Sequence, residues 1–552
     1  MSEYSILIGG KAGEGSRKAG FIIARILASL GFYIYIYEDY PSLIKGGHNF
    51  SQIRASFKKV LGLKNKKLDF LLALDDLTLK LHQKDLKKEG FVLANPEICP
   101  KKKGIPVPMD KIVKEEGGAY IMRNVALIGA FAKLIGVSWR KVEKILKEEL
   151  KKETELNLKI AKRGYESVKT LAKIKKISQK EYPILTGNQA IALGAKKAGL
   201  EIYIAYPMTP STSILHFLAQ REDLSVLTFQ PENEIAVITS ALGASFAGKR
   251  TMVGTSGGGF ALMTEALSLS AQSETPILIV ESQRMAPSTG VPTYSAQSDL
   301  LFVLFAGHGD FVRFVTSPGD AEEAFFLAGL SLNIAWKYQL PSILLCDKQI
   351  SESSFSFDKK IERKVKKEKP ILWSGKEKYK RYKITKNGIS PLAFPGEKGA
   401  VVKATSYEHD EFGLTVEDEE SIKKMQEKRL RKYESLKKEV EEKIESVKIY
   451  GKKTSKIALL FWGSTKGPAI EAVEDLGIKA IQILVLEPFP KKQLEKALKN
   501  VKTVITAETS AMPQFANYLE SQGVKVQNSI LKYTGRPFFA EELKEKICKI
   551  LK

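Results

Sequence analysis

The sequence predicts an α/β protein built from three separate α/β units. Two observations carry that expectation. At 552 residues the chain is too long for one hydrophobic core. Short apolar runs of strand character also alternate with runs of helical period in three stretches, divided by Lys-rich or Pro- and Gly-punctuated segments. No fixed-period repeat interrupts the pattern.

The first unit spans 1–178. It opens with strand YSILIGG, a glycine-rich turn KAGEGS, helix RKAGFIIARILASLG and strand FYIYIYEDY, an order that predicts parallel pairing. DFLLALDD and FVLAN read as further strands, and NVALIGAFAKLIG has helical period. The charged stretch from Trp139 to Lys173 reads as helical, ahead of a Lys-rich linker near 173–180. The second unit spans 182–356, with strands in LEIYIAYP, RTMVGTS, TPILIVES, DFVRFVT and PSILLCD. A basic segment punctuated by Pro and Gly and a long charged helix, VEDEESIKKMQEKRLRKYESLKKEVEEKIESV, occupy 357–454. The third unit, 455–552, carries strands in KIALLFWGS, AIQILVLEPFP and TVITAETS.

Composition excludes several classes of function. Only Cys99, Cys346 and Cys548 occur, far apart, so this chain alone can neither ligate a four-cysteine cluster nor build a disulfide framework. The five histidines show no metal-ligand spacing, and no metal site is expected. No apolar run approaches the roughly 20 residues of a membrane span. The N-terminus reads directly into a strand, and a cytoplasmic location is expected. The 87 Lys and Arg against 63 Asp and Glu give a net charge of +24. Most of the excess lies in stretches with acids interleaved, which read as solvated faces rather than a nucleic-acid surface. A positive field of this kind suits small anions or an acidic protein partner.

Two motifs mislead. Gly243 to Arg250 imitates a P-loop, but Arg250 stands where a magnesium-binding Ser or Thr is needed, and the stretch continues a helical run. Gly9, Gly10, Gly13 and Gly15, with Glu38 at the next strand end, suggest a dinucleotide fingerprint but lack its spacing. The turn reads equally as a strand-to-helix connection using positive φ or as an anion cradle at a helix start.

Segment AYPMTPST, 205–212, follows an apolar strand and precedes a helix. Two prolines stiffen it, and Thr209, Ser211 and Thr212 bring hydroxyls to the helix start. The residues alone allow N-capping by Ser211 or Thr212, or recognition of a carboxylate.

AYPMTPST closely resembles the signature of alpha subunits of 2-oxoacid:ferredoxin oxidoreductases. The resemblance extends in the family's order across most of the chain. GKAGEGSRKAG and YPSLIKGGHN resemble the gamma domain fused to alpha subunits of the 2-oxoglutarate type. GNQAIALGAKKAG resembles the start of the pyrimidine-type thiamine-diphosphate domain, and RMAPSTGVPT and YEHDEFG are similar to two further family blocks. WGST and EPFP resemble the transketolase C-terminal-like domain.

The resemblance implies site residues. Glu234 would be the catalytic glutamate that hydrogen-bonds the thiamine pyrimidine ring and promotes loss of the thiazolium proton. Glu232 is the weaker candidate, and Glu234 is expected to be partly buried with a raised pKa. Arg284 would grip the substrate carboxylate, with Thr209 and Thr293 beside it. Tyr206, Pro207, Gly257 and Gly258 would approach the cofactor, the last two in the SGGGFALMTEAL loop. Gly13, Gly15, Lys45, Gly46 and Gly47 are candidates for a CoA or subunit contact. No GDG motif occurs. The family's beta subunit would therefore hold thiamine diphosphate, Mg2+ and a [4Fe-4S] cluster, with CoA as co-substrate and ferredoxin as electron acceptor. The implied reaction is oxidative decarboxylation of a 2-oxoacid, 2-oxoglutarate first. Pyruvate, branched-chain acids or a non-catalytic scaffold paralogue are the alternatives.

The chain departs from the family pattern at Met208, Lys45, Gln189, Met285, Ala286, Ser510 and Pro513. Met285 and Ala286 add bulk beside the proposed carboxylate site. Ser510 and Pro513 break the usual pattern of the last domain.

Overall fold

The computed structural model describes residues 3–41 and 46–552. Two compact units are present: Met1–Leu185 with Ser353–Asp358, and Thr186–Glu352 with Lys359–Lys552.

The first unit is built on an eight-stranded sheet. Its order is Gly104–Pro106, Leu86–Ala94, Leu68–Ala73, Glu3–Lys11, His48–Ser56, Tyr33–Asp39, Ser354–Ser356 and Ile184–Thr186. The expected all-parallel pairing is corrected to a mixed sheet. His48–Ser56 lies between Glu3–Lys11 and Tyr33–Asp39 and runs antiparallel to both. Its sequence, HNFSQIRAS, is too polar to read as a buried strand. It is accommodated because its polar side chains find partners: Arg54 donates to both carboxylate oxygens of Glu3 at 3.0 Å, and Gln52 donates to the Ser5 hydroxyl at 3.2 Å. The amphipathic helix Ser16–Ala28 seals one face with Ile22, Ile23, Ile26 and Leu27. The charged stretch after Trp139 forms two helices, Trp139–Glu149 and Thr154–Glu166, broken where Glu153 takes a φ of 47°.

The second unit holds two sheets. The seven-stranded one runs Val485–Glu487, Phe314–Thr316, Pro341–Asp347, Ile277–Gln283, Thr251–Thr255, Ile202–Ile204 and Leu227–Phe229. Its strands are parallel except for Val485–Glu487 at one edge. Ile277–Gln283 and Pro341–Asp347 are buried along their whole length, in keeping with the apolar runs ILIV and ILLC that they carry. From Ile202–Ile204 the chain passes to Leu227–Phe229 on one side and then to Thr251–Thr255 on the other. The winding reverses there, and the carboxyl ends of these strands open a crevice where α/β sheets bind ligands.

The third sheet runs Val447–Gly451, Lys479–Ile483, Ile457–Phe461, Thr503–Glu508 and Asn528–Leu531. AIQILVLEPFP, read from sequence as one strand, is two. Lys479–Ile483 belongs to the third sheet, while Val485–Glu487 crosses to the edge of the second. The two sheets share one core, in which Val253 and Ile279 join Leu460, Trp462 and Ile483. A buried ion cluster ties the same layers: Lys466 pairs with Asp320 at 2.6 Å and Glu323 at 2.5 Å. The long charged helix is Glu419–Glu442, and its buried Lys428 and Lys432 both pair with Glu274.

Candidate active site

The crevice is lined by the segments at the carboxyl ends of four parallel strands: 205–211, 230–234, 256–259 and 284–293. After Ile202–Ile204 the chain turns through a cis Thr209–Pro210 bond into the helix Thr212–Ala219. Ser211 sits at the N-cap without capping. Its hydroxyl donates instead to the Met208 carbonyl at 2.9 Å. Asn188 fixes the turn from the neighbouring helix, donating to the Pro210 carbonyl at 2.8 Å and the Ser213 hydroxyl at 2.7 Å. Tyr206 and Pro207 are exposed and Thr209 is half-buried.

Glu234 is the first residue of the helix Glu234–Phe246, whose start is capped by Asn233 accepting from the Ala236 N–H at 2.9 Å. Glu234 is 4% exposed, whereas Glu232 two residues earlier is exposed, so burial separates the two carboxylates. Among the described residues, Oε1 of Glu234 has no hydrogen-bond partner. Leaving a buried acceptor unpaired costs about 1–3 kcal/mol, and a donor from a ligand would recover it. Ser256 and the first turn of the helix Gly257–Leu262, expected from sequence as a loop, make the approach to this carboxylate. A Cβ on Gly259 would stand 2.6 Å from Glu234 Oε1 and 2.1 Å from Thr255 Oγ1, so no side chain fits there. Gly258 faces open space, and a Cβ on Gly257 would stand 2.5 Å from Asp299 Oδ2.

Arg284 comes directly after the buried strand Ile277–Gln283 and is 9% exposed. Its Nη1 donates to the Thr209 carbonyl at 2.9 Å, while Nε has no partner. Burial lowers the pKa of the guanidinium, opposed by the charges of Asp299, Glu281 and Glu234. The next residues fold back as a hairpin in which Met285 N donates to the Tyr294 carbonyl and Val291 N to the Met285 carbonyl, both at 2.9 Å. Gly290 has a φ of 53°, and a Cβ there would stand 1.9 Å from the Met285 carbonyl oxygen, so the turn requires glycine. The hairpin leaves Thr293 5% exposed with its hydroxyl unpaired. Met285 and Ala286, the bulky departures, are half-buried at its base.

The crevice therefore gathers a carboxylate, a guanidinium and a hydroxyl, each buried and each with a polar atom lacking a partner. Those atoms suit a ligand with its own carboxylate and a polar ring, and the residues fit a thiamine-type cofactor on Glu234.

Three further polar groups in the crevice escaped the sequence reading. Glu281 lies fully buried in the ILIVES strand, held well above the usual carboxylate range by burial, by Asp299 and by Asp347. Burial pushes Asp299 up to about 6, against the pull of Arg284. The hydroxyl of Ser256 is buried and unpaired. An acid inside an otherwise apolar, fully buried strand was the available signal for Glu281.

The other glycines of interest lie in the first unit. Gly13 and Gly15 take φ of 96° and 73°, and Gly46 and Gly47 take 61° and 118°. The two turns meet where Ala12 N donates to the Gly47 carbonyl at 2.9 Å. Glu14 fills part of this corner, accepting from Lys11 N at 2.8 Å and pairing with Arg123 at 3.2 Å. Lys45 lies outside the described residues. The P-loop imitation is the end of the Glu234–Phe246 helix. Arg250, just beyond it, anchors the chain by donating to the Glu368 carbonyl at 2.7 Å and Asn333 Oδ1 at 2.8 Å.

Among the described residues no helix is long and apolar enough to cross a membrane. The family model described as "Pyruvate flavodoxin/ferredoxin oxidoreductase, thiamine diP-bdg" matches residues 193–428, and "Pyruvate ferredoxin/flavodoxin oxidoreductase" matches residues 5–167. A Sulfolobus sp. protein named 2-oxoacid:ferredoxin oxidoreductase subunit alpha is 32% identical over 99% of this chain and 97% of its own. The 2-oxoglutarate oxidoreductase subunit KorA of Mycobacterium tuberculosis is 26% identical over 98% of this chain and 91% of its own. The solved 2-oxoglutarate:ferredoxin oxidoreductase from Magnetococcus marinus, with 2-oxoglutarate, coenzyme A and succinyl-CoA bound, matches with a TM-score of 0.89 at 29% identity, covering 100% of both chains.

Proposed function

This chain belongs to the alpha subunits of the 2-oxoacid:ferredoxin oxidoreductases, and from that premise we propose that it recognises 2-oxoglutarate and decarboxylates it oxidatively together with a beta subunit. The acyl group passes to CoA and the electrons to ferredoxin. The observation that carries this reading is the buried Glu234 carboxylate, whose Oε1 lacks a partner where the Gly259 backbone closes on it.

Bound thiamine diphosphate supplies the carbon nucleophile and the electron sink for decarboxylation. Glu234 would hold the proton exchange at the cofactor's pyrimidine ring, shielded from water by the Glu234–Phe246 helix and the start of the Gly257–Leu262 helix. Arg284 takes the 2-oxoacid carboxylate, with the Thr293 hydroxyl as second donor and the 205–211 turn, through Thr209, fixing the guanidinium. Tyr206, Pro207, Gly257 and Gly258 line the approach to the cofactor.

This chain has no GDG motif and three dispersed cysteines. In our reading the beta subunit therefore carries thiamine diphosphate, its Mg2+ and the [4Fe-4S] cluster. Ile235, adjacent to Glu234, and Leu262, at the end of the helix Gly257–Leu262, are exposed apolar side chains that suit a contact with that subunit. The Gly13, Gly15, Gly46 and Gly47 corner is assigned to CoA or to a subunit contact. The segments 1–178, 182–356, 357–454 and 455–552 are assigned as gamma-type, pyrimidine-type, linking and transketolase C-terminal-like parts.

The test is co-expression with the beta subunit and dye reduction in the presence of CoA. Turnover with 2-oxoglutarate is expected, and Glu234→Gln should lower it by about 10²–10⁴-fold while assembly persists on gel filtration. Normal activity in that variant would remove Glu234 from the mechanism. Preference for pyruvate or a branched-chain acid would correct the substrate. Absence of turnover with every 2-oxoacid would favour the scaffold reading.

A further inference from the structure

We propose that 2-oxoacid binding at the Arg284 guanidinium is coupled to uptake of one proton by the Asp299 carboxylate. The inference rests on the proposed substrate role of Arg284.

The two residues are held in register by one side chain. Gln283, immediately before Arg284, accepts from the Asp299 backbone N–H at 2.9 Å. Gln283 is itself fixed by donating to the Cys346 carbonyl at 3.0 Å. Asp299 thus starts the helix Leu300–Phe305 beside the end of the strand that delivers Arg284. The Asp299 side chain does not cap that helix, and its Oδ2 is sealed from solvent without a hydrogen-bond partner. The absence of a side chain at Gly257 makes room for it. A fixed, unpaired carboxylate oxygen in the field of a guanidinium needs a function.

The surrounding charges identify which acid responds. Three carboxylates act on Arg284: Asp299, Glu281 and Glu234. Glu281 lies on the same strand, fully buried, and burial, Asp299 and Asp347 of the adjacent strand hold its carboxyl well above the usual range. Glu234 is committed to the cofactor. Asp299 is half-buried, and desolvation pushes its carboxyl up to about 6 against the opposing Arg284 charge. A substrate carboxylate arriving at Arg284 places a second negative charge beside Asp299 and satisfies the guanidinium that had stabilised it. By linkage Asp299 then binds a proton from solvent, and the acid binds more weakly as pH rises above about 6.

The apparent KM for 2-oxoglutarate of the alpha–beta complex should therefore rise between pH 6 and 8, by at most about tenfold per pH unit for one coupled proton. In Asp299→Asn the rise should flatten and the KM at pH 8 should fall below that of the unsubstituted complex. A merely structural Asp299 would instead give a raised KM at every pH. A KM in Asp299→Asn that keeps the full pH dependence overturns the proposal. Should that variant not assemble, calorimetric titration of the unsubstituted complex with the unreactive analogue N-oxalylglycine decides, in two buffers of different ionisation enthalpy. Net proton uptake near pH 7 supports the coupling, and zero uptake between pH 6 and 8 sinks it. Turnover without proton coupling rejects this inference alone. Absence of turnover and of analogue binding rejects the functional reading and this inference with it.

Discussion

Arg284 donates from Nη1 to the main-chain carbonyl of Thr209 at 2.9 Å, joining two turns 75 residues apart in sequence. One end of the guanidinium is thereby spent on holding the 205–211 turn, while Nε has no partner among the described residues. A threonine side chain is not needed for this bond. The fold uses the backbone of the signature turn to aim the arginine.

Replacing Arg284 with Ala should raise the apparent KM for the 2-oxoacid by about 10–100-fold, the range of a lost charge-assisted hydrogen bond of roughly 1.5–3 kcal/mol, while the KM for CoA changes little. Steady-state kinetics with each substrate varied in turn checks this. Equal effects on both constants would contradict a carboxylate-binding role.

Gly259→Ala tests the close approach to Glu234. The added Cβ meets Thr255 Oγ1 at 2.1 Å and Glu234 Oε1 at 2.6 Å, so the carboxylate must move. We expect a stability loss of about 1–3 kcal/mol, as for overpacking, and a fall in kcat larger than that of Gly258→Ala, where the space is open. Thermal denaturation and turnover of the two variants side by side give the comparison.

Lys466→Met leaves Asp320 and Glu323 buried without their shared cation, although Lys448 still reaches Glu323 at 2.9 Å. Removing one partner of a buried pair destabilises by about 3–5 kcal/mol. The Tm should drop by several degrees, and a Tm within a degree of the unsubstituted protein would show the cluster to be energetically silent.

Glu508 predicts a pH dependence of stability. Burial pushes it up to about 8, even though Phe515 N donates to its two oxygens at 3.0 and 3.1 Å. Its unfolded value is about 4.3. The folded state therefore binds the proton more tightly, so this contribution is complete below about 4.3 and is lost as pH climbs to about 8. Urea midpoints measured from pH 5 to 9 should decline less steeply in Glu508→Gln than in the unsubstituted protein.

The family and the strands that carry the crevice were legible because each rests on local pattern. YPMTPST, SGGGF and RMAPSTGVPT are contiguous, and the buried strands before the last two carry the short apolar runs MV and ILIV. Leu227–Phe229 and His48–Ser56 were not legible. The former is three residues long, and the latter carries polar residues that only partners such as Glu3 and Ser5 make tolerable in a buried strand. The split of AIQILVLEPFP between two sheets was hidden for a related reason: period-two alternation reports that a residue is extended, not which neighbour it pairs with.

The sequence by itself determined, through contiguous motifs that resemble the family's, that this chain is an α/β alpha subunit of the oxidoreductase family, and the same resemblance nominated Glu234, Arg284, Thr209 and Thr293 for its crevice. Only the tertiary structure decided that Glu234 rather than Glu232 is buried, that Arg284 is aimed by a carbonyl, and that Asp299 and Glu281 share its field. Burial and electrostatic coupling are properties of groups brought together across long stretches of chain, and a local pattern carries no record of them.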